Sequence, residues 1–369
     1  MIYLDYAANT PVDEKVLKSF NEATITYTAN PNSSHPLGRI AKLKIDEASE
    51  SIAKYFNTSK NGIIYTSGAS ESNNLIIKGI CEKNKDKGNH IIISAMEHSS
   101  IVAPVNYLVS HGYDVDIIPL TKDGTVDLKV LKKKITNKTI LVSICSVDGE
   151  IGTIQPIEEI AKIVKKYKNC VFHTDATQAI GKVNINFDKV DFITFAPHKF
   201  FGLNGMGVLV NRNNIKLTPL IHGGKSTTIY RSGTPVTANV IATDVALKLA
   251  IKHLNKRYKY IKKLNNILRK ELGKLDYIHI NSQENSIPST FNMSLINKDT
   301  KDIIEKLNQK EIYVSTTTAC SLENTPSKSV LAITNNEDLA KNTIRISISH
   351  LTTKDDINTF IKTFKKITR

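Results

Sequence analysis

The sequence predicts an α/β fold, with a large domain on a mainly parallel sheet followed by a smaller α+β domain toward the C-terminus. Three observations carry this reading. Between about residues 60 and 211, short β-rich runs alternate with amphipathic segments, at the spacing of βαβ units. After Pro235 the alternation gives way to one long helical pattern, then to shorter strands and helices. The length of 369 residues suggests about two domains and leaves ample material for a buried core. The expected division is 12–250 for the large domain, with 1–11 and 251–369 forming the small one.

The elements follow in chain order. Gly62–Ser67 is a β-branched and aromatic run stopped by Gly68, and Glu71–Lys83 has the pattern of an amphipathic helix. His90–Ser94 holds three successive isoleucines, and Ile101–His111 reads as the next helix. Val115–Leu120 and Thr139–Val147 are strands flanking the helical segment Leu128–Ile135. Ile157–Tyr167 is helical, and Cys170–Asp175, Asp191–Ala196 and Gly207–Asn211 complete the strands.

Composition narrows the function. With 40% hydrophobic and 23% charged residues, the chain is globular and not disordered. No stretch approaches the ~18 uninterrupted apolar residues of a membrane helix. The segment Met1–Asp5 lacks a basic region followed by an apolar run, so no signal peptide is expected. Cys81, Cys145, Cys170 and Cys320 are widely spaced without a CxxC pair. That pattern argues against a disulfide framework or zinc finger and for a reducing cytoplasm. The net charge of +15 raises nucleic-acid binding as a possibility. The lysines are scattered, however, and from Lys248 to Lys274 they alternate with Leu249, Ile251, Leu254, Ile261, Leu264 and Leu268. A solvated helix face accounts for them better than a binding patch, and direct nucleic-acid binding is not expected.

In parallel sheets ligands sit beyond the carboxyl ends of the strands, so reactive residues at those ends are the candidates. Thr66-Ser67-Gly68-Ala69-Ser70-Glu71-Ser72 stops a strand and starts a helix. Its free N–H groups and the Ser70 hydroxyl form an anion cup; simple capping by Ser67 or Ser70 is the competing reading. His98 follows the next strand and is either a helix-start residue or a reactive one. Asp175, with Gln178 three residues on, ends an apolar strand and must find a donor or a positive partner. Lys199 follows His198 after another strand, as either a solvated lysine or a partly desolvated amine nucleophile. Taken together, these are the parts of a pyridoxal phosphate site. Gly68, Ala69 and Ser70 would hold the phosphate, His98 would stack on the ring, Asp175 would keep the pyridine nitrogen protonated, and Lys199 would bond the cofactor, with Gln178 and His198 as further cofactor contacts.

The sequence resembles the cysteine desulfurases of the class V aminotransferase family, with the type I pyridoxal-phosphate fold. The resemblance rests on Tyr3–Pro11, Asn30–His35, Thr66–Glu71, Glu97-His98, Glu150-Ile151-Gly152, Asp175–Gln178, His198-Lys199, Arg231-Ser232-Gly233-Thr234 and Ile344-Arg345, which span nearly the whole chain in order. It implies a homodimer in which Arg231 and Thr234 lie near the neighbour's cofactor phosphate. It also implies substrate contacts from Asn30 and Arg345, the latter a bidentate partner for a carboxylate. Cys320, among small polar residues, would take the substrate sulfur as a persulfide, converting L-cysteine to L-alanine with His98 as acid/base. The sulfur would pass to an iron–sulfur scaffold or a tRNA-thiolation enzyme.

Three positions depart from the family pattern. Gly149 stands where an asparagine contacts the cofactor near the substrate carboxylate, Ala196 stands where a serine contacts the phosphate, and the Cys320 loop is about one residue shorter. A selenocysteine lyase or another lyase on a different sulfur amino acid is therefore the first alternative. The second is a non-catalytic binding or scaffold protein that keeps the fold.

Overall fold

The computed structural model describes residues 1–224, 226–316 and 325–368. Its strands are β1 (Ile2–Tyr3), β2 (Ile63–Thr66), β3 (His90–Ser94), β4 (Asp114–Ile118), β5 (Thr139–Ser143), β6 (Val171–Asp175), β7 (Phe192–Phe195), β8 (Gly207–Asn211), β9 (Ile278–Ile280), β10 (Thr290–Leu295), β11 (Ile312–Tyr313) and β12 (Thr343–Ser347). Seven of them form one sheet in the order β2-β8-β7-β6-β5-β3-β4. The neighbours pair in parallel except β8, which runs antiparallel to β2 and β7.

Every residue of β2, β3, β5, β6, β7 and β8 is buried, which is why these strands read as unbroken apolar runs. Successive side chains still alternate between faces. Ile63, Tyr65, Ile92, Val208 and Val210 join one core, while Ile64, Ile91, Ile93 and Leu209 join the other. The helices α1 (Glu14–Thr26), α2 (Pro36–Tyr55), α3 (Ala69–Asn84), α4 (Ser99–Val109), α5 (Leu128–Lys134), α6 (Ile157–Val164) and α7 (Thr237–Leu272) come before, between and after these strands and cover the sheet. The first core takes Ile45 and Ile52 of α2, Ile160 of α6 and Val240–Leu247 of α7. The second takes Leu75–Ile80 of α3 and Ile101, Val105 and Leu108 of α4.

A smaller antiparallel sheet, β12-β10-β9, packs with α8 (Thr300–Asn308), α11 (Lys354–Ile367) and the far end of α7 around a separate core. Between them lie α9 (Lys328–Thr334) and α10 (Glu337–Lys341). The N-terminus belongs to this region: β1 pairs in parallel with β11, and Leu4 lies in the same core. Helix α7 runs through both bodies, burying Ala246 and Ala250 in the first core and Ile261, Leu264, Leu268 and Leu272 in the other. Its lysines Lys248, Lys252, Lys256, Lys259, Lys262, Lys263 and Lys270 are exposed.

Sequence and structure differ at some edges. The expected strand Thr139–Val147 ends as a strand at Ser143, yet Ile144 and Ser146 still donate to the His173 and Asp175 carbonyls of β6. β4 stops at Ile118 because Pro119 lacks an N–H. Helices α1 and α2 were not among the expected elements. α2 starts with His35 Nδ1 accepting from Gly38 N at 3.2 Å and Pro36 in the first turn, a pairing that favours helix initiation. Among the described residues, no helix is long and apolar enough to cross a membrane.

Candidate active site

The carboxyl ends of β2, β3, β6 and β7 bring the candidate residues together. Where β2 turns into α3, the Thr66 hydroxyl donates to the Gly68 carbonyl at 2.9 Å and bonds Ser72 Oγ at 2.8 Å. Gly207 lets the chains approach, since a Cβ there would lie 2.3 Å from the Gly68 carbonyl carbon. Helix α3 starts from Gly68 with no side-chain cap, and a Cβ at Gly68 would meet nothing within 4 Å. Neither Ser67 nor Ser70 caps the helix. Its first N–H groups carry no side-chain cap and the space beside Gly68 is open, an arrangement suited to an anion. Glu71, in the first turn, accepts from Ser67 N at 2.7 Å and from Arg231 Nε at 3.0 Å. Burial pushes its pKa up, but these bonds outweigh that and hold it below the ordinary value.

Asp175, buried at the end of β6, accepts from Asn73 Nδ2 of α3 at 2.8 Å and from Thr177 N at 2.9 Å. Asn73 Nδ2 also donates to Ser100 Oγ at 2.9 Å, and Ser100 in turn engages His98. His98 Nδ1 accepts from Ser100 N at 3.1 Å and lies 2.8 Å from Ser100 Oγ, so the ring caps α4. Burial is the main cause lowering its pKa, with Lys199 and Lys328 acting the same way against Asp175. The ring is therefore neutral at neutral pH, and with Nδ1 accepting, its proton sits on Nε2.

Beside His98, Glu97 is 3% exposed. Its Oε1 accepts from Ser94 Oγ and from Cys145 N at 2.9 Å, while Oε2 has no partner among the described residues. Burial first, then Asp175 and Asp148, push its pKa up to about 8, so it carries a proton at neutral pH.

Lys199 ends a short 3₁₀ turn, Pro197–Lys199, after β7. Its Nζ donates to the Ala7 carbonyl at 3.1 Å and the Ala8 carbonyl at 2.5 Å. Gln178 Nε2 donates to the same Ala7 carbonyl at 3.0 Å. This N-terminal segment is pinned by Ala7 N to Ser347 Oγ at 2.9 Å and by Thr10 N to the His198 carbonyl at 3.1 Å. Burial, reinforced by Lys199 and Lys182, pushes the His198 pKa down to about 4.

Arg345 on β12 is 1% exposed. Its Nη2 pairs with Asp5 Oδ1 at 2.8 Å and its Nη1 donates to the Gly149 carbonyl at 3.0 Å, while its buried Nε has no partner among the described residues. On either side of Gly149, Asp148 accepts from Ser329 Oγ at 2.7 Å and Glu150 from Ser327 Oγ. These bonds fix the start of α9.

Other candidates stand apart in the described contacts. Asn30 is exposed, its side chain accepting from Asn32 N at 2.9 Å within its own turn. Thr234 is exposed and lines an open surface cleft with Asn32, Ile221, His222 and Ser232. Cys320 lies outside the described residues. Cys81, Cys145 and Cys170 are buried, and burial pushes each thiol far above its ordinary value, which makes them poor nucleophiles. Ala196, between β7 and the Pro197–Lys199 turn, is fully buried.

Sequence reasoning gave no role to Asn73, Glu97, Lys182 or Asp5. Among the described residues, no group of three or more His, Cys, Asp or Glu is placed to hold a metal.

Comparison with known proteins places these features in context. A sequence profile of the aminotransferase class-V family matches residues 2–360. A cysteine desulfurase IscS of Dictyoglomus turgidum is 36% identical over 371 residues, covering 99% of this chain and 94% of that protein. A cysteine desulfurase IscS of Buchnera aphidicola subsp. Baizongia pistaciae is 39% identical over 366 residues, covering 97% and 90%. Among solved structures, a NifS-like protein superposes with a TM-score of 0.93 at 33% identity, over 99% of this chain and 98% of that one.

Proposed function

Because the chain belongs to the class-V aminotransferase family, we propose that it is a pyridoxal-phosphate-dependent cysteine desulfurase that converts L-cysteine to L-alanine. The observation that carries this is the convergence, at the strand ends, of an open helix start, the Asn73-backed Asp175 and the Lys199 amine. The residues fit the cofactor. Gly68 leaves room at uncapped N–H groups for a phosphate, and the buried Asn73 Oδ1 has no partner among the described residues.

In this reading Gly68, Ala69 and Ser70 hold the phosphate, Asp175 and Gln178 orient the ring, and His98 packs beside it. Pyridoxal phosphate, when bound, supplies an electron sink for breaking the bond from the substrate Cα to its proton. Lys199 binds the cofactor and moves that proton at Nζ. Arg345 orients the substrate carboxylate, with Asn30 as a further substrate contact, and His98 supplies the acid/base group at Nε2. His198 and Thr10 hold the turn on which Lys199 sits.

The sulfur goes to the Cys320 thiol. The carbon–sulfur bond of L-cysteine breaks, a sulfur–sulfur bond forms, and L-alanine and a Cys320 persulfide account for every atom. The burial of the other three cysteines supports Cys320 in this role.

We place the chain in a homodimer in the cytoplasm, with the division 12–250 and 1–11 plus 251–369 and with Thr234 serving the neighbour's site. Exposed apolar residues near Thr234, Ile229 at 70% and Val236 at 55%, support a covered surface there. The persulfide would pass to an acceptor protein for iron–sulfur assembly or tRNA thiolation.

The test is direct. Protein incubated with pyridoxal phosphate should gain a visible absorbance band that Lys199→Ala lacks. Wild type should release alanine from L-cysteine, and Cys320→Ser should not sustain it. Colourless wild-type protein overturns the cofactor reading. Release of product from selenocysteine but not cysteine replaces the substrate by the selenium analogue.

A further inference from the structure

The chain leaves β6 through a helical turn. Ala179 N and Ile180 N donate to the Ala176 carbonyl at 2.9 and 3.0 Å, and Lys182 N and Val183 N donate to the Ala179 carbonyl at 3.0 and 3.1 Å. This turn brings Gln178 and Lys182, four residues apart, into contact. Between them Gly181 bends the chain with φ +75°, a conformation that favours glycine. A Cβ there would also lie 2.9 Å from Ala250 Cβ and 3.0 Å from Phe200 Cβ.

Lys182 Nζ donates to Gln178 Oε1. The Lys182 nitrogen donates in this contact, so the amide atom facing it is oxygen. At the other end a carbonyl accepts only, so the atom facing Ala7 is Nε2. Two partners of opposite character thus fix the amide in one orientation. The Ala7 carbonyl also accepts from Lys199 Nζ, which closes a chain of bonds from Lys182 through Gln178 and Ala7 to Lys199. The surroundings of Lys182 offer little else to hold a charge. Burial first, with the cationic Lys199 and Arg345 acting the same way, pushes its pKa down to about 7.

We propose that Lys182 is a positioning residue: by fixing the Gln178 amide, it fixes the seat that Gln178 and Lys199 share on the Ala7 carbonyl and present to the cofactor. The inference rests on the proposed function, since it assigns Lys182 a part in seating pyridoxal phosphate. A residue that merely filled space there would need no nitrogen.

The experiment compares wild type, Lys182→Met, Lys182→Arg, Gln178→Ala and the Lys182→Met/Gln178→Ala double variant. The dissociation constant for pyridoxal phosphate and the visible circular dichroism per bound cofactor are measured for each. Lys182→Met and Gln178→Ala should each weaken binding roughly tenfold, the loss of one hydrogen bond, and should diminish the dichroism. Lys182→Arg should restore both. The double variant should be no worse than Gln178→Ala alone within about twofold, because both changes break one chain. Lys182→Gln takes the place of Lys182→Met if the latter does not fold. Multiplicative losses in the double variant, failure of Lys182→Arg to rescue, or a Lys182→Met protein equal to wild type would each overturn the proposal and leave the proposed function standing. Wild-type protein that takes up no pyridoxal phosphate overturns both.

Discussion

Glu97 sits fully enclosed behind His98, and its protonation state sets a measurable pH dependence of stability. Its carboxyl is raised from 4.5 to about 8, first by burial and then by Asp175 and Asp148. Between those two values the folded protein holds a proton that the unfolded chain has lost. Stability from this group is therefore whole below pH 4.5 and drains away as pH rises toward 8. Glu97→Gln removes the titration while keeping an oxygen for Ser94 Oγ and Cys145 N. Both pH 5.5 and pH 7.5 lie inside the window. Across those two units, at about 1.36 kcal/mol each, the variant should gain about 2.7 kcal/mol on wild type. Urea unfolding of both proteins at the two pH values reads this directly from the midpoints, with equal slopes confirming equal exposed surface. Any fixed cost of the amide appears equally at both pH values and drops out. A difference that stays flat from pH 5.5 to 7.5 would show that Glu97 is ionised in the folded protein, and the reasoning about its burial would be wrong. Chemically, a neutral Glu97 spares Asp175 a second negative charge close by.

The remaining predictions test single contacts. His98→Asn keeps a good helix cap but removes the ring, so the unfolding free energy should change by less than about 0.5 kcal/mol while desulfurase turnover falls at least ~100-fold; near-normal turnover would remove His98 from the chemistry. Gly149→Asn restores a side chain able to make one neutral hydrogen bond and should tighten pyridoxal phosphate binding by about two- to tenfold. An unchanged dissociation constant would mean that the departure at this position costs the protein nothing. Ser329→Ala leaves the buried Asp148 Oδ2 without its hydroxyl donor and should lower stability by about 1–3 kcal/mol; a change below about 0.3 kcal/mol would show that this anchor of α9 is idle.

The sheet was legible because burial on both faces writes an unbroken apolar run. His90–Ser94 and Gly207–Asn211 begin and end where their residues predict. Helix α2 was not legible for the opposite reason. Its buried stripe of Ala41, Ile45, Ala48 and Ile52 is blurred by Leu37, Ile40 and Leu43, which are 64%, 45% and 54% exposed. Apolar residues on several sides erase the 3.6-residue period on which helix recognition depends. Such a face makes sense if it meets another surface, as the proposed dimer requires.

The site divides along the same physical line. Asp175 and Lys199 could be found because a polar residue ending an apolar strand is costly unless it is used or paired. Asn73, Lys182 and Asp5 could not, because nothing local distinguishes them from other polar residues in a helix, a turn or a terminal strand. Their roles appear only when α3 brings Asn73 over Asp175, when the turn after β6 folds Lys182 onto Gln178, and when the N-terminal segment lays Asp5 against Arg345. That segment is the decisive case. Residues 5–8 reach Arg345 through a side chain and Lys199 through two carbonyls, so one short stretch sets the spacing between the group assigned to the substrate carboxylate and the amine assigned to the cofactor. Backbone carbonyls have no sequence signature, because every residue carries one. A site built partly from them is visible as a family resemblance at Tyr3–Pro11, and its working parts become visible only in three dimensions.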